Sequence, residues 1–172
     1  ATTTETGGRW ANSKFTDGYS IKSVSIEYNG KTITPKYNIT DTRMQVWMQD
    51  ALKSAGGKVK IAVKFAFTVP EYGTDRMGRL KTKNGIVYEV AQWFPRMCVY
   101  DDLQGWNTLP YVGAGEFYCE YGDYDFSITA PSNLIIVGSG ELQYPQDCYP
   151  PEQMNRWNAA TASDKTVVIR SD

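Results

Sequence analysis

Apolar residues recur at every second position along much of the chain, which is the period of β-strands with one face against a core. The longest run covers residues 59–69, where lysines fill several of the intervening positions. A second run around Val24 and Ile26 is followed by Asn29-Gly30, a dipeptide typical of two-residue hairpin turns. The same pattern predicts further strands at residues 86–91, 115–130, 134–137 and 165–169.

One helix is predicted, near the C-terminus. Pro150-Pro151 suits a first helical turn, which needs no amide donor, and Met154 and Trp157 share one face of residues 152–160. The chain is therefore predicted to be mainly β, an antiparallel β-sandwich or large curved sheet with one short C-terminal helix. Residues 1–20 are predicted to be a flexible N-terminal segment, and residues 21–172 a β-domain.

The charge and hydropathy of the chain argue against nucleic acid as a partner and against a membrane-spanning segment. The 18 basic and 19 acidic residues give a formal charge of −1, without the basic face that nucleic acid requires. No apolar run approaches the roughly 18 residues of a membrane span. The polar residues 1–8 do not resemble a signal peptide, so an exported chain would be in its mature form. Cys98, Cys119 and Cys148 are either free buried thiols or include a Cys98–Cys119 disulfide.

The sequence contains no histidine. This absence excludes Ser-His-Asp and Cys-His nucleophile systems and the H-E-x-x-H zinc motif, so we predict no catalytic residue and no metal ligand in the chain. Carboxylates could form a calcium site or an acid/base pair, but turn and solvated strand positions explain them better. The carboxylates in question are Asp101, Asp102, Glu116, Glu120, Asp123 and Asp125.

Aromatic residues are concentrated in the same part of the chain. They could stack against sugar rings, or they could pack in a core with their hydroxyls on polar partners. Core packing is favoured because the aromatics fall on both faces of the predicted strands. The residues are Trp93, Phe94, Tyr100, Trp106, Tyr111, Phe117, Tyr118, Tyr121 and Tyr124.

Six short motifs follow one another in a specific order and spacing. They are Gln92-Trp93-Phe94-Pro95, Tyr100-Asp101, Gly105-Trp106-Asn107, Glu116-Phe117-Tyr118, Gly122-Asp123-Tyr124-Asp125-Phe126 and Ile128-Thr129-Ala130-Pro131. Together they resemble the N-terminal β-domain of aminopeptidase N-type zinc metallopeptidases, in the form that bacterial branches carry. The resemblance extends over roughly residues 20–170.

This resemblance implies a non-catalytic domain that walls the substrate cleft of a separate catalytic domain, where zinc is bound and a peptide is the substrate. It implies a periplasmic, extracellular or membrane-associated protein. The chain would lack the first strands of the family's domain and the catalytic part downstream. Missing strands would leave sheet edges open to self-association.

Within the family's domain, a Gln-x-Glu/Gln element helps to hold the free amine of the substrate. Gln92 matches its first position, whereas Phe94 replaces the second polar residue, so Gln92 is the only substrate-binding candidate. Glu116 is expected to cap nearby loop amides. The alternative function is a carbohydrate- or ligand-binding β-sandwich module, and an adhesion-like structural module is a third hypothesis.

Overall fold

The computed structural model describes residues 14, 16–71, 76–110 and 116–170. The chain divides into two compact units, Ala1–Gly122 and Asp123–Asp172. Most of the predicted flexible segment 1–20 lies outside the described residues. The elements of the described residues are β1 (Ser20–Tyr28), β2 (Lys31–Ile33), β3 (Tyr37–Thr40), β4 (Arg43–Val46), β5 (Lys60–Ala66), β6 (Met77–Thr82), β7 (Gly85–Val90), β8 (Tyr100–Asp101), β9 (Gly105–Trp106), α1 (Pro145–Cys148) and α2 (Pro151–Thr161).

A three-stranded antiparallel sheet in the order β2-β1-β5 organises the first unit. The hairpin between β1 and β2 turns at Asn29 and Gly30, whose φ angles of 50° and 71° are both positive. Two successive positive φ angles define the type I′ turn, whose twist matches that of the flanking strands. The hairpin predicted from this dipeptide is confirmed.

The long pairing of β1 with β5 creates the most buried position of the unit. Ile26 faces Ile61, Val24 faces Val63, and a bulge interrupts the register between Ile21 and Ser23. Ile26 is only 1% exposed and Val24 only 3%, and they are the two buried residues within the strands of the described chain. The predicted strand over residues 59–69 is confirmed in its central part, Lys60–Ala66.

Pro35 divides what the sequence pattern presents as one strand. Without an amide hydrogen it cannot donate to a ladder, and β2 ends before it while β3 begins after it. β3 then pairs with β4, from Tyr37 opposite Val46 to Thr40 opposite Arg43. From the sequence alone, a proline within this pattern predicts an edge or bulged position of one strand. In the structure, Pro35 instead lies at a break between two separate pairings.

The hairpin of β6 and β7 has little cover on either face. Met77 pairs with Val90 at its open end and Thr82 with Gly85 at its turn. Its large apolar residues are exposed although they have the composition of a buried strand, namely Leu80, Ile86, Val87, Tyr88 and Val90. The glycines and charged residues of positions 72–79 predict a solvent-exposed hairpin or flap. Residues 72–75 lie outside the described residues, and residues 77–79 belong to β6.

The second unit contains a pair of short helices. α2 begins at Pro151, as predicted, and ends at Thr161, and Tyr149 packs against Trp157 with ring centroids 5.5 Å apart. Glu152 and Arg156 form an ion pair one helical turn apart. α1 precedes this helix, so the predicted single helix is one of two.

Three predicted strands are wrong within the described residues. Residues 116–130 form only an isolated bridge at Cys119, and residues 134–137 and 165–169 form no strand. A strand is defined by its partner, and alternation in the sequence does not supply one. The predicted class, mainly β with antiparallel pairing and a short C-terminal helix, is nevertheless confirmed.

No helix among the described residues has the length and apolar character needed to cross a membrane.

Replacing Ile26 by Ala should lower the free energy of unfolding by about 2–5 kcal/mol, because it leaves a cavity on the buried face of the β2-β1-β5 sheet. Ile39, which is 49% exposed on β3, provides the matched control. The Ile39→Ala change should cost less than about 1 kcal/mol. Urea unfolding followed by circular dichroism measures both, and equal losses would contradict this location of the core.

Candidate functional site

Gln92 lies in a strained turn directly after β7. Its φ angle is 52°, in the left-handed region that side chains other than glycine rarely enter, and its side chain is exposed. A non-glycine residue in this region persists only when the surrounding structure holds it there, and such residues are concentrated at functional sites. We call residues 91–94 the Gln92 turn.

Aromatic contacts hold the two residues that come directly after Gln92, Trp93 and Phe94. Trp93 packs edge-on against Phe94 at a centroid distance of 5.3 Å and lies 6.4 Å from Phe65 of β5. Tyr19 lies 4.8 Å from Phe65 and 5.5 Å from Phe67. These five residues form the aromatic cluster, which joins the three-stranded sheet to the turn.

A hydrogen bond fixes the backbone of the turn to the cluster. The Tyr19 hydroxyl donates to the Trp93 carbonyl at 2.6 Å. Burial raises the pKa of this hydroxyl, so Tyr19 remains a donor at all ordinary pH values. No local sequence pattern indicates this contact, because 74 residues separate the two partners.

Arg76 holds the turn on its other side. The Ala91 amide donates to the Arg76 carbonyl at 2.9 Å, and the Arg76 guanidinium lies 3.4 Å from the Glu116 carboxylate. Glu116 therefore forms an ion pair with Arg76, and its predicted capping of loop amides stays a prediction because residues 111–115 lie outside the described residues. Because both side chains are more than half exposed, the pair contributes little to stability, but it brings a carboxylate to the residue that anchors Gln92.

Asp101 organises the tight β8–β9 hairpin. One carboxylate oxygen accepts hydrogen bonds from the Leu103 and Gln104 amides at 3.1 and 2.7 Å, and the other accepts from the Asn107 side chain at 2.8 Å. Asn107 also donates to the Val99 carbonyl at 3.1 Å. Hydrogen bonds from Gln104 and Asn107 lower the pKa of Asp101. The predicted turn role of Asp101 is confirmed.

The remaining carboxylates do not converge. Among the described residues, no group of three or more His, Cys, Asp or Glu side chains is placed to hold a metal ion. Glu116 pairs with Arg76, whereas Glu120 accepts a hydrogen bond from Arg96 through its backbone carbonyl at 2.9 Å. The residues described here therefore offer no arrangement that fits zinc or calcium.

The aromatic residues that were predicted to pack in a core fall into two groups, one packed and one exposed. Trp93 and Phe94 belong to the aromatic cluster, whereas Tyr100 and Trp106 form an exposed edge-on pair, 5.1 Å apart, across β8 and β9. Tyr121 is 97% exposed. Phe117, Tyr118 and Tyr124 are also exposed, and Tyr111 lies outside the described residues. Core packing is therefore wrong for most of this set.

Comparison of the chain with models of known protein families, with curated proteins and with solved structures gave no match in any of the three.

Replacing Asp101 by Asn should make the free energy of unfolding depend less strongly on pH below about pH 6. The folded-state pKa is lowered, so the stabilising effect of the carboxylate is complete above its ordinary pKa of about 3.9 and is lost as the pH falls through the lower folded value. The difference in unfolding free energy between wild type and variant should therefore shrink from pH 6 toward about pH 2.

Urea unfolding at a series of pH values measures this difference. The matched control is Asp102→Asn, which leaves the hydrogen bonds of Asp101 to Leu103, Gln104 and Asn107 in place. A wild-type advantage over D101N that is the same at every pH would show that the charge of Asp101 has no part in holding the hairpin.

Proposed function

We propose that this chain is the non-catalytic N-terminal β-domain of an aminopeptidase N-type zinc metallopeptidase. In this proposal it walls the substrate cleft of a catalytic domain elsewhere in the same polypeptide. The observation that carries the proposal is the Gln92 turn. It presents an exposed amide on strained backbone, at the position where the motif series resembles the amine-binding element of that family.

Gln92 has a definite chemical role in this proposal. Its amide oxygen accepts a hydrogen bond from the free ammonium group of a peptide substrate, which has three donors and a positive charge. The aromatic cluster and Arg76 hold the turn rigidly, so the amide does not have to be ordered when the substrate arrives. Glu116 forms an ion pair with Arg76, so the positive charge of Arg76 is offset in the same part of the unit.

The apolar surface of the β6–β7 hairpin supports contact with another domain. Four of the six residues of β7 are large hydrophobics that are between 40% and 56% exposed, and Leu80 of β6 is 60% exposed. Exposed large apolar side chains that are grouped on one element in this way are typical of interaction sites in soluble proteins. The catalytic domain of the same polypeptide is the partner that the resemblance implies for this surface.

Zinc belongs to that catalytic domain in this proposal. The present chain contains no histidine, and its described residues do not form a metal-binding group. The resemblance also leads us to propose a periplasmic, extracellular or membrane-associated enzyme whose substrate is a peptide.

The intact protein provides the test. Its polypeptide should contain H-E-x-x-H downstream of this segment and hydrolyse aminoacyl-arylamides, whereas the chain alone should not. Replacing Gln92 by Gly removes the amide without adding strain, because glycine adopts a positive φ freely. This variant should lower kcat/KM for substrates with a free amine by about ten- to a hundredfold, the value of a charge-assisted hydrogen bond.

Gln45→Ala is the matched control, since Gln45 is an exposed amide on β4. It should leave kcat/KM unchanged. Absence of H-E-x-x-H from the parent polypeptide, or chelator-sensitive hydrolysis by the chain alone, would overturn the proposal. An unchanged kcat/KM in Gln92→Gly would remove only the role of Gln92.

A carbohydrate-binding module is the second candidate function. The observation that favours it is the exposed Tyr100–Trp106 pair, together with the exposed Tyr118 and Tyr121. Sugar rings stack on open aromatic faces, but the edge-on angle of 71° between Tyr100 and Trp106 does not give one flat platform. Retardation of the chain in gels that contain polysaccharide is the result that would favour this candidate.

We also propose that the chain on its own self-associates through an open sheet edge. β5 lies at one end of the β2-β1-β5 order, and no strand of the described residues pairs with its outer side. Unpaired amides and carbonyls on such an edge can add a strand from a second copy. Light scattering should therefore give a mass that rises with protein concentration, and a constant monomer mass would contradict this proposal.

A further inference from the structure

Cys98 and Cys119 face each other across a short antiparallel contact. An isolated bridge pairs these two residues, and hydrogen bonds close it on both sides. The Val99 amide donates to the Tyr118 carbonyl at 3.2 Å, and the Glu120 amide donates to the Met97 carbonyl at 2.9 Å. The two cysteines thus form a non-hydrogen-bonded pair, in which the side chains lie on the same face and approach most closely.

This geometry suits a disulfide. The Cα atoms of a non-hydrogen-bonded antiparallel pair are typically about 4.5 Å apart. Disulfides span Cα separations of roughly 4.4–6.8 Å, so no large backbone movement is needed to join such a pair. Both thiols are free and only half-buried, so a small reagent can reach them.

We propose that Cys98 and Cys119 are a redox pair that closes a disulfide by exchange with an external disulfide of the glutathione type. This inference is independent of the proposed peptidase role. It assigns an oxidation site to a segment whose sequence has no Cys-x-x-Cys motif, since the partners are 21 positions apart and only the fold brings them together.

The exchange takes place in two balanced steps. One cysteine loses its proton, and its thiolate attacks a sulfur of glutathione disulfide, which releases one glutathione thiolate and leaves a mixed disulfide on the protein. The other cysteine then loses its proton and attacks the protein sulfur of that mixed disulfide, which releases the second glutathione. The two cysteines lose two electrons and two protons, and the glutathione disulfide gains them as two thiols.

The environment of Cys98 sets the pH dependence of this exchange. Burial raises the pKa of the Cys98 thiol, and the nearby Cys119 raises it further through charge repulsion. The thiolate is the reacting form, so closure should accelerate as the pH rises through the mildly alkaline range. The charged residues nearest to the pair along the two segments are Arg96 and Glu120, and the Arg96 guanidinium donates a hydrogen bond to the Glu120 carbonyl.

The disulfide would tie two segments of the first unit together. One runs from Arg96 to the β8–β9 hairpin, and the other contains Glu120, whose carbonyl already accepts a hydrogen bond from Arg96. The crosslink restricts the unfolded chain more than the folded one, because the pair is already in contact when the unit is folded. The oxidised chain should therefore unfold at a higher urea concentration than the reduced chain.

Peptide mapping tests the proposal on the unaltered chain. The native protein is incubated with glutathione disulfide at mildly alkaline pH, quenched in acid, unfolded and treated with N-ethylmaleimide. Trypsin cannot separate the cysteines, because no Lys or Arg lies between Arg96 and Arg156. A peptidase that cleaves before aspartate does separate them, because Asp101, Asp123 and Asp147 divide the three.

The expected product is a crosslinked pair of peptides that contain Cys98 and Cys119, without Cys148. In Cys148→Ser the number of thiols that react with N-ethylmaleimide should fall from two to none. The same chain oxidised in urea is the control. There the segments between Cys98 and Cys119 and between Cys119 and Cys148 are of similar length, so chain entropy favours neither pairing strongly and a mixture should form.

Three results would overturn the proposal. They are a native mixture of pairings equal to that in urea, stable glutathione adducts on Cys98 and Cys119 without closure, and thiols that stay unmodified at every pH tested. Each of these readouts is independent of peptidase activity. Failure of the redox proposal therefore leaves the proposed function intact, and failure of the proposed function leaves the redox proposal intact.

Discussion

The antiparallel pairing of β1 with β5 is the interaction on which the first unit depends. It buries Ile26 and Val24, the most enclosed hydrophobic residues of the described chain, and it aligns β5 so that Phe65 lies beneath Tyr19. Tyr19 in turn holds the Trp93 carbonyl. The strained backbone at Gln92 is therefore supported by a sheet that is distant from it in sequence, and local interactions alone would let it relax.

Few large hydrophobic side chains of the described residues are buried, and this bears on the proposal that another domain contacts the chain. Strands with the composition of core strands, β7 above all, leave their large side chains exposed on both faces. Folding of an isolated unit gains little from such residues, because the hydrophobic effect acts only on surface removed from water. These exposed strands are consistent with the proposal that a second domain covers part of the surface.

Hydrogen bonds of the Asp101 carboxylate help to position the segment that contains Cys98. Asp101 satisfies two turn amides and the Asn107 side chain, and so fixes the hairpin that follows Cys98. The neighbouring bridge places Cys98 against Cys119. A turn carboxylate with several donors is expected to ionise easily, whereas a half-buried thiol beside another thiol ionises with difficulty, and the directions of the two pKa shifts follow this physical rule.

Local patterns in the sequence determined the strand class, the Asn29-Gly30 turn, the start of α2 at Pro151 and the turn role of Asp101, because each depends on neighbours within a few residues. Only the tertiary structure decided which strands find partners. The apolar residues of 116–130 alternate as in a strand, yet the segment pairs at a single position, since pairing depends on a distant segment. The support of Gln92 by Tyr19 and Arg76, and the meeting of the two cysteines, also arise from contacts across long sequence separations that no local pattern encodes.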